Sequence, residues 1–107
     1  MSSENSNWIS EEYIDNLVSV IIPTYNRQDY IISAVQSVID QTYRPIECII
    51  VDDGSTDNTL AVLEGIKNDH PNFQIAILSQ INSGSQKARN AGTKVAKGEY
   101  IQYLDSD

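Results

Sequence analysis

The chain is 107 residues long, room for one domain, and its 7 Lys+Arg against 15 Asp+Glu give a formal net charge of -8. That sign excludes a phosphate-tracking nucleic-acid surface, which needs clustered cations, so no nucleic acid is expected among its partners. A chain this short buries only about 65% of the surface its extended form exposes, so a missing half or a partner, homo-oligomer contacts included, would stabilise it.

Residues 1–16 are rich in Ser, Asn and Glu and carry only Trp8, Ile9, Tyr13 and Ile14 as apolar anchors, which reads as an N-terminal tail or arm. There is no basic segment followed by a hydrophobic stretch at the start, and no run approaches the roughly 20 apolar residues that span a bilayer. The expectation is a soluble, cytoplasmic chain with no membrane segment.

From Leu17 the pattern sharpens. Leu17-Val18-Ser19-Val20-Ile21-Ile22 is β-branched, apolar and too short for a helix, and Pro23 lacks a ladder donor, so a buried strand is predicted to exit there. Between Tyr30 and Gln41 the residues Ile31, Ala34, Val35, Val38 and Ile39 recur at helical spacing. Pro45 ends the connection and Ile46 to Val51 reads as the second strand, with Cys48 inside it as a small buried hydrophobe that has no cysteine partner. Ser55 or Asp57 is placed to cap a second helix whose apolar face is Leu60, Leu63 and Ile66, broken at 68–72. Phe73 to Leu78 is the third strand. Ser85 to Lys97 is a third helix with Ala88, Ala91, Gly92, Val95 and Ala96 turned inward, Gly98 stops it, and Tyr100 to Leu104 is the fourth strand. Strand and helix in strict alternation predict an α/β fold of three layers around a mostly parallel, Rossmann-like sheet, whose ligands gather beyond the carboxyl ends of the strands.

Three of the four strand exits carry polar clusters that such a fold brings to one edge: Pro23-Thr24-Tyr25-Asn26-Arg27, Asp52-Asp53-Gly54-Ser55 and Asp105-Ser106-Asp107. Neither Gly-x-Gly-x-x-Gly nor Gly-x-x-x-x-Gly-Lys-Ser/Thr is present to cradle phosphate on backbone amides. Phosphate charge must then be met otherwise, and a divalent metal on Asp107, with Asp105 as a second carboxylate, does so simply. Tyr25 offers a flat face for a base, and Asp53 an acceptor for a base or sugar donor.

Four blocks in order resemble the nucleotide-binding half of a family 2 glycosyltransferase with the GT-A fold. They are Val20-Ile21-Ile22-Pro23-Thr24-Tyr25-Asn26-Arg27, Val51-Asp52-Asp53-Gly54-Ser55-Thr56-Asp57, the run 82–92 (Asn-Ser-Gly-Ser-Gln-Lys-Ala-Arg-Asn-Ala-Gly), and Gly98-Glu99-Tyr100-Ile101 leading to Leu104-Asp105-Ser106-Asp107. The resemblance spans residues 17–107, read as a partial GT-A domain. It implies that Tyr25 lies against the nucleobase with Thr24 framing the same pocket, that Asp53 engages the base while Asp52 supports the turn, and that Arg89 braces the carboxylates or meets the diphosphate. It further implies that Asp105 faces the ribose region and that Asp107, with Asp105, binds manganese or magnesium. The implied activity is transfer of a sugar from a nucleotide-diphosphate-sugar, UDP-linked first, to the hydroxyl of an unknown acceptor, inverting and metal-assisted. The acceptor-side base is expected beyond Asp107, so the 107 residues are expected to bind donor and to transfer little by themselves. Two rival readings stand beside it: a nucleotide-sugar-binding or assembly module without catalysis, and a phosphoacceptor domain, for which no strand exit supplies the customary lysine.

Overall fold

The structure, a computed structural model, describes residues 14–106. The proposed tail, but for its last three residues, and Asp107 lie outside the described residues. Seven elements alternate along the chain: β1 (Ile14–Thr24), α1 (Ile31–Ile39), β2 (Ile46–Asp52), α2 (Thr59–Asp69), β3 (Ile75–Ser79), α3 (Ser85–Val95) and β4 (Gly98–Tyr103). The strands pair in the order β3-β2-β1-β4, and every neighbouring pair is parallel.

Helices cover the sheet on both sides, which is why the central strands read as unbroken apolar runs rather than as alternation. Val20 and Ile22 of β1 and Cys48 and Ile50 of β2 pack with Ile31, Val35 and Val38 of α1 and Leu63 of α2. The intervening Ile21, Ile49 and Val51 face Ala88 of α3. All of these side chains are at most 1% exposed, and each contributes about 1.5–3 kcal/mol where it is large and fully buried.

The small residues of α3 let it lie close to the sheet. A Cβ at Gly92 would stand 2.6 Å from Ile21 Cγ2 and 3.3 Å from Val51 Cγ2. Gly92→Ala gains about 1 kcal/mol of helix propensity but overpacks this contact by about 1–3 kcal/mol. We expect a net loss of about 1 kcal/mol, seen as a lower urea midpoint with an unchanged slope; a higher midpoint would mean that α3 has room to spare.

Several local expectations shift. β1 runs on through Pro23 to Thr24, with Pro23 opposite Val51. Ile21 accepts from Leu104 N–H on the β4 side and Thr24 accepts from Asp53 N–H on the β2 side, so Pro23 turns its nitrogen toward β4, whose pairing with β1 ends at Tyr103. No ladder donor is needed there. β1 also starts at Ile14, three residues before the apolar run, through an irregularity at which Asn16 takes φ 66°. On α2 the buried face is Thr59 and Leu63 with Val62 and Ile66 beside it, whereas Leu60 is 38% exposed, one position off the expected stripe. Val95 of α3 is likewise 45% exposed. Phe73 lies before β3 and still packs on the core. Gly98 opens β4 rather than only ending α3: a Cβ there would meet Ser19 Oγ at 2.5 Å and Leu17 O at 2.7 Å. Its N–H donates to Ser19 Oγ (2.8 Å), and Ser19 in turn donates to Glu47 Oε2 (2.6 Å), a part-buried link between β4, β1 and β2.

Candidate functional site

The chain moves from β1 outward to β2 and β3, then returns to place β4 on the other side of β1. At such a reversal the loops beyond the strand ends diverge and leave a crevice. A cleft of about 320 Å³ opens there, within the range of about 300–1,000 Å³ typical of small-molecule sites. Its walls are Pro23, Thr24, Tyr25 and Arg27 after β1, Asp53 after β2, Ser85 and Arg89 of α3, and Asp105 and Ser106 after β4. Five of the six sequence-predicted site residues, Thr24, Tyr25, Asp53, Arg89 and Asp105, therefore share one cleft; Asp107 lies outside the described residues.

The β1–α1 loop is fixed by side chains of the β2–α2 loop. Asn26 adopts φ 52°, a conformation asparagine tolerates. Its Oδ1 accepts from Thr56 N–H (2.8 Å) and its own N–H donates to Ser55 Oγ (2.9 Å). Arg27 N–H donates to Thr59 Oγ1 at 2.9 Å, and the Thr59 hydroxyl donates to Asp57 Oδ1 at 2.6 Å. Asp57 also accepts from Thr59 N–H at 2.9 Å, which makes it the residue serving the start of α2. Ser55, the other candidate cap, donates instead to Asp52 through both its hydroxyl and its N–H. Asp52 is 2% exposed, so its carboxylate is turn structure, as expected.

Asp53 does more than the sequence suggested. It is 4% exposed, and its Oδ1 accepts from Gln80 Nε2 (2.8 Å) and Ser83 N–H (2.7 Å). Its Oδ2 accepts from Gly84 N–H (2.9 Å) and Asn82 Nδ2 (3.2 Å). Burial works to raise its pKa, but the bonds from Gln80, Ser83 and Gly84 outweigh burial and hold the carboxyl below its ordinary 3.8. Four donors occupy the roughly four lone-pair sites of a carboxylate, so a ligand N–H that reaches Asp53 shares an oxygen with the loop. One carboxylate thus shapes the whole β3–α3 connection. Gln80 was not foreseen; the Gly84 that opens a helix was the one hint that backbone N–H groups would be on offer there.

Thr24 is 3% exposed, and among the described residues its Oγ1 is the buried side-chain oxygen without a hydrogen-bond partner. A buried hydroxyl left unpaired costs about 1–3 kcal/mol, and Thr24 is one of the residues that line the cleft. Tyr25, 42% exposed, offers its ring at the same wall. Arg89 Nη2 lies 3.8 Å from Asp105 Oδ1, with the Asp105 side chain 79% exposed. The cleft is therefore lined by a tyrosine, a threonine, two arginines and an accessible carboxylate, a set suited to a ligand with a planar apolar end and an anionic remainder. Among the described residues no group of three or more His, Cys, Asp or Glu converges. Asp105 nonetheless has the hard oxygen chemistry of a magnesium-type site, which takes one or two carboxylates and fills its shell with substrate phosphate and water. No helix among the described residues is long and apolar enough to cross a membrane.

Residues 19–107 match the family described as glycosyl transferase family 2. The chain is 46% identical over 91 residues to the UDP-Glc:alpha-D-GlcNAc-diphosphoundecaprenol beta-1,3-glucosyltransferase WfaP of Escherichia coli, covering 85% of this chain and 35% of that protein. It is 41% identical over 95 residues to glycosyltransferase GlyG of Streptococcus pneumoniae serotype 4, covering 88% of this chain and 31% of that protein. Its fold superposes on the crystal structure of S. aureus TarS 1-349 in complex with UDP-GlcNAc with a TM-score of 0.75 and 37% identity, covering 84% of this chain and 26% of that one. The chain spans about a third of the length of these two relatives and as little as 13% of others that it matches.

Proposed function

The chain belongs to glycosyl transferase family 2, and on that premise we propose that the cleft at the ends of β1, β2 and β4 binds the nucleotide-diphosphate portion of a sugar donor. UDP-linked sugars come first, in keeping with the donor named for WfaP and the ligand of the TarS complex. The observation that carries this reading is the convergence of Thr24, Tyr25, Asp53, Arg89 and Asp105, from separate strand ends and from α3, on one cleft. The base lies on Tyr25 and is framed by Thr24 and by the loop that Asp53 holds. The phosphates run toward Arg89 and Asp105. Asp105 and Asp107 are the residues that would hold manganese or magnesium. Such an ion, when bound, stabilises the negative charge that develops on a departing diphosphate.

The reaction served is attack of an acceptor hydroxyl on the anomeric carbon, with inversion by direct displacement. This chain's part in it is to orient the donor: Tyr25 and Thr24 set the base, and Arg89 keeps Asp105 turned into the cleft. Titration calorimetry with UDP, GDP and TDP, each with and without manganese, tests the reading. Saturable binding of UDP, strengthened by the ion, is expected; a chain that binds none of the three, with or without metal, contradicts it. Turnover on any member of a broad acceptor panel would exclude the non-catalytic binding module.

A further inference from the structure

Four of the chain's seven Lys+Arg residues, Lys87, Arg89, Lys94 and Lys97, fall between positions 87 and 97, and residues 70–98 contain no Asp or Glu. For a chain of net charge -8 this is a sharp segregation of charge. Its structural counterpart is a groove of about 540 Å³ between β3 and α3, with Leu78 and Val95 in its apolar part and Lys87, Asn90 and Lys94 along its helical wall. The three wall residues stand at i, i+3 and i+7, one stripe of the helix. Arg89 pairs with Asp105, whereas among the described residues no carboxylate pairs with Lys87 or Lys94. The groove shares no lining residue with the strand-end cleft. It also runs along β3, an outer strand of the sheet, and such edges are commonly covered by another piece of chain.

We propose that this groove is the seat of the chain's own N-terminal segment, residues 1–13. That segment carries Glu4, Glu11 and Glu12, has no Lys or Arg, and holds Trp8, Ile9 and Tyr13 as its large apolar side chains. Its charge and its apolar content are thus the complement of the groove's. Its attachment point is close by: Ile14 N–H donates to the carbonyl of Lys97, two residues past Val95 at the end of α3 where Lys94 stands. Its reach is ample, since residues 1–13 fully extended span about 43 Å, against about 16 Å for the 11 residues of α3. Followed back from Ile14, Glu12 and Glu11 come first and meet Lys94, Trp8 and Ile9 then lie over Leu78 and Val95, and Glu4 reaches Lys87. Exposed ion pairs are individually weak, so burial of Trp8 and Ile9 supplies most of the attraction and the lysines select the groove.

Trp8 is the single tryptophan of the chain, so its fluorescence reads the segment directly. The test measures its emission maximum and its quenching by acrylamide in the 107-residue chain, in Lys87→Glu/Lys94→Glu, in Glu11→Gln/Glu12→Gln, and in Lys67→Glu, a control that reverses an exposed cation on α2, with thermal midpoints recorded alongside. The wild type should emit to the blue of the same chain in denaturant and be shielded from acrylamide. Reversing two exposed ion pairs in Lys87→Glu/Lys94→Glu should lower the ratio of seated to unseated segment about tenfold, read as a red shift with quenching close to that of the denatured chain. Glu11→Gln/Glu12→Gln should move both readings the same way by less, as should 1 M salt, where the screening length is about 3 Å. Lys67→Glu should leave them unchanged. Should the double lysine variant melt lower, Lys94→Glu alone reads the same contact. Wild-type emission equal to that of the denatured chain would overturn the proposal, as would a Trp8 that stays shielded when the groove lysines are reversed. Emission that changes with protein concentration would overturn it too, by seating the segment on a second copy.

Discussion

Asp53→Asn is expected to lower the unfolding free energy by about 2–4 kcal/mol and UDP affinity by at least about a hundredfold. The carboxylate accepts from four donors, Gln80, Asn82, Ser83 N–H and Gly84 N–H. An amide in its place keeps one accepting oxygen and turns an NH2 group toward two of those donors, so two part-buried N–H groups lose their partner and are repelled. The β3–α3 loop and the start of α3, which carry one wall of the cleft, then lose their anchor. The pH dependence gives a separate reading of the same contact. Because the folded-state pKa of Asp53 is depressed, its contribution is fully present above the ordinary carboxylate value of 3.8 and is lost as pH falls through the folded value. The stability gap between wild type and Asp53→Asn should therefore be constant from neutral pH down to about pH 5 and close below about 3.8. Urea unfolding of both proteins across that range measures it. A gap that is absent at neutral pH, or that widens in acid, would show that the loop does not depend on the charge.

Thr24→Val should move stability and binding in opposite directions. The swap keeps the shape of the side chain and removes a buried oxygen that has no partner. The free chain should gain about 1 kcal/mol, or about 4–8 °C in Tm for a domain of this size. On the proposed reading, in which a bound nucleotide draws the Thr24 hydroxyl into a hydrogen bond, UDP affinity should fall by about tenfold. Such a trade of stability for function is what a binding site, unlike a packing position, is expected to show. Calorimetric melting with and without UDP reads both effects from one sample. A valine variant that melts lower, or that binds UDP as the wild type does, would deny Thr24 that role.

Much of this architecture was legible in the sequence because the central strands are buried on both faces. Leu17 to Ile22 and Ile46 to Val51 admit few readings other than inner strands, and alternation with three amphipathic segments leaves a parallel sheet as the economical arrangement. The grouping of Thr24, Tyr25, Asp53, Arg89 and Asp105 followed from that topology, since strand exits in a parallel sheet share one edge. What escaped depends on which strands neighbour one another and on helix phase. Gln80 reaches Asp53 only because β3 lies beside β2, a long-range pairing that no local pattern carries. Leu60 and Thr59 are adjacent, and a rotation of one residue about the helix axis decides which of them is buried. Pro23 stays within β1 because the pairing with β4 has already ended, a matter of relative strand length. Arg27 was visible in the motif, but that it lines one cleft with Arg89 required the fold.

The central claim is that loops from separate strands form one nucleotide site, and the amide spectrum of the isotope-labelled chain titrated with UDP tests it most directly. Shifts should concentrate in Thr24 to Arg27, in Asp53, in Ser83 to Ser85 and in Asp105 and Ser106, saturating with a single affinity. Shifts that gather instead away from these strand ends, or a spectrum that UDP leaves unchanged, would contradict the account.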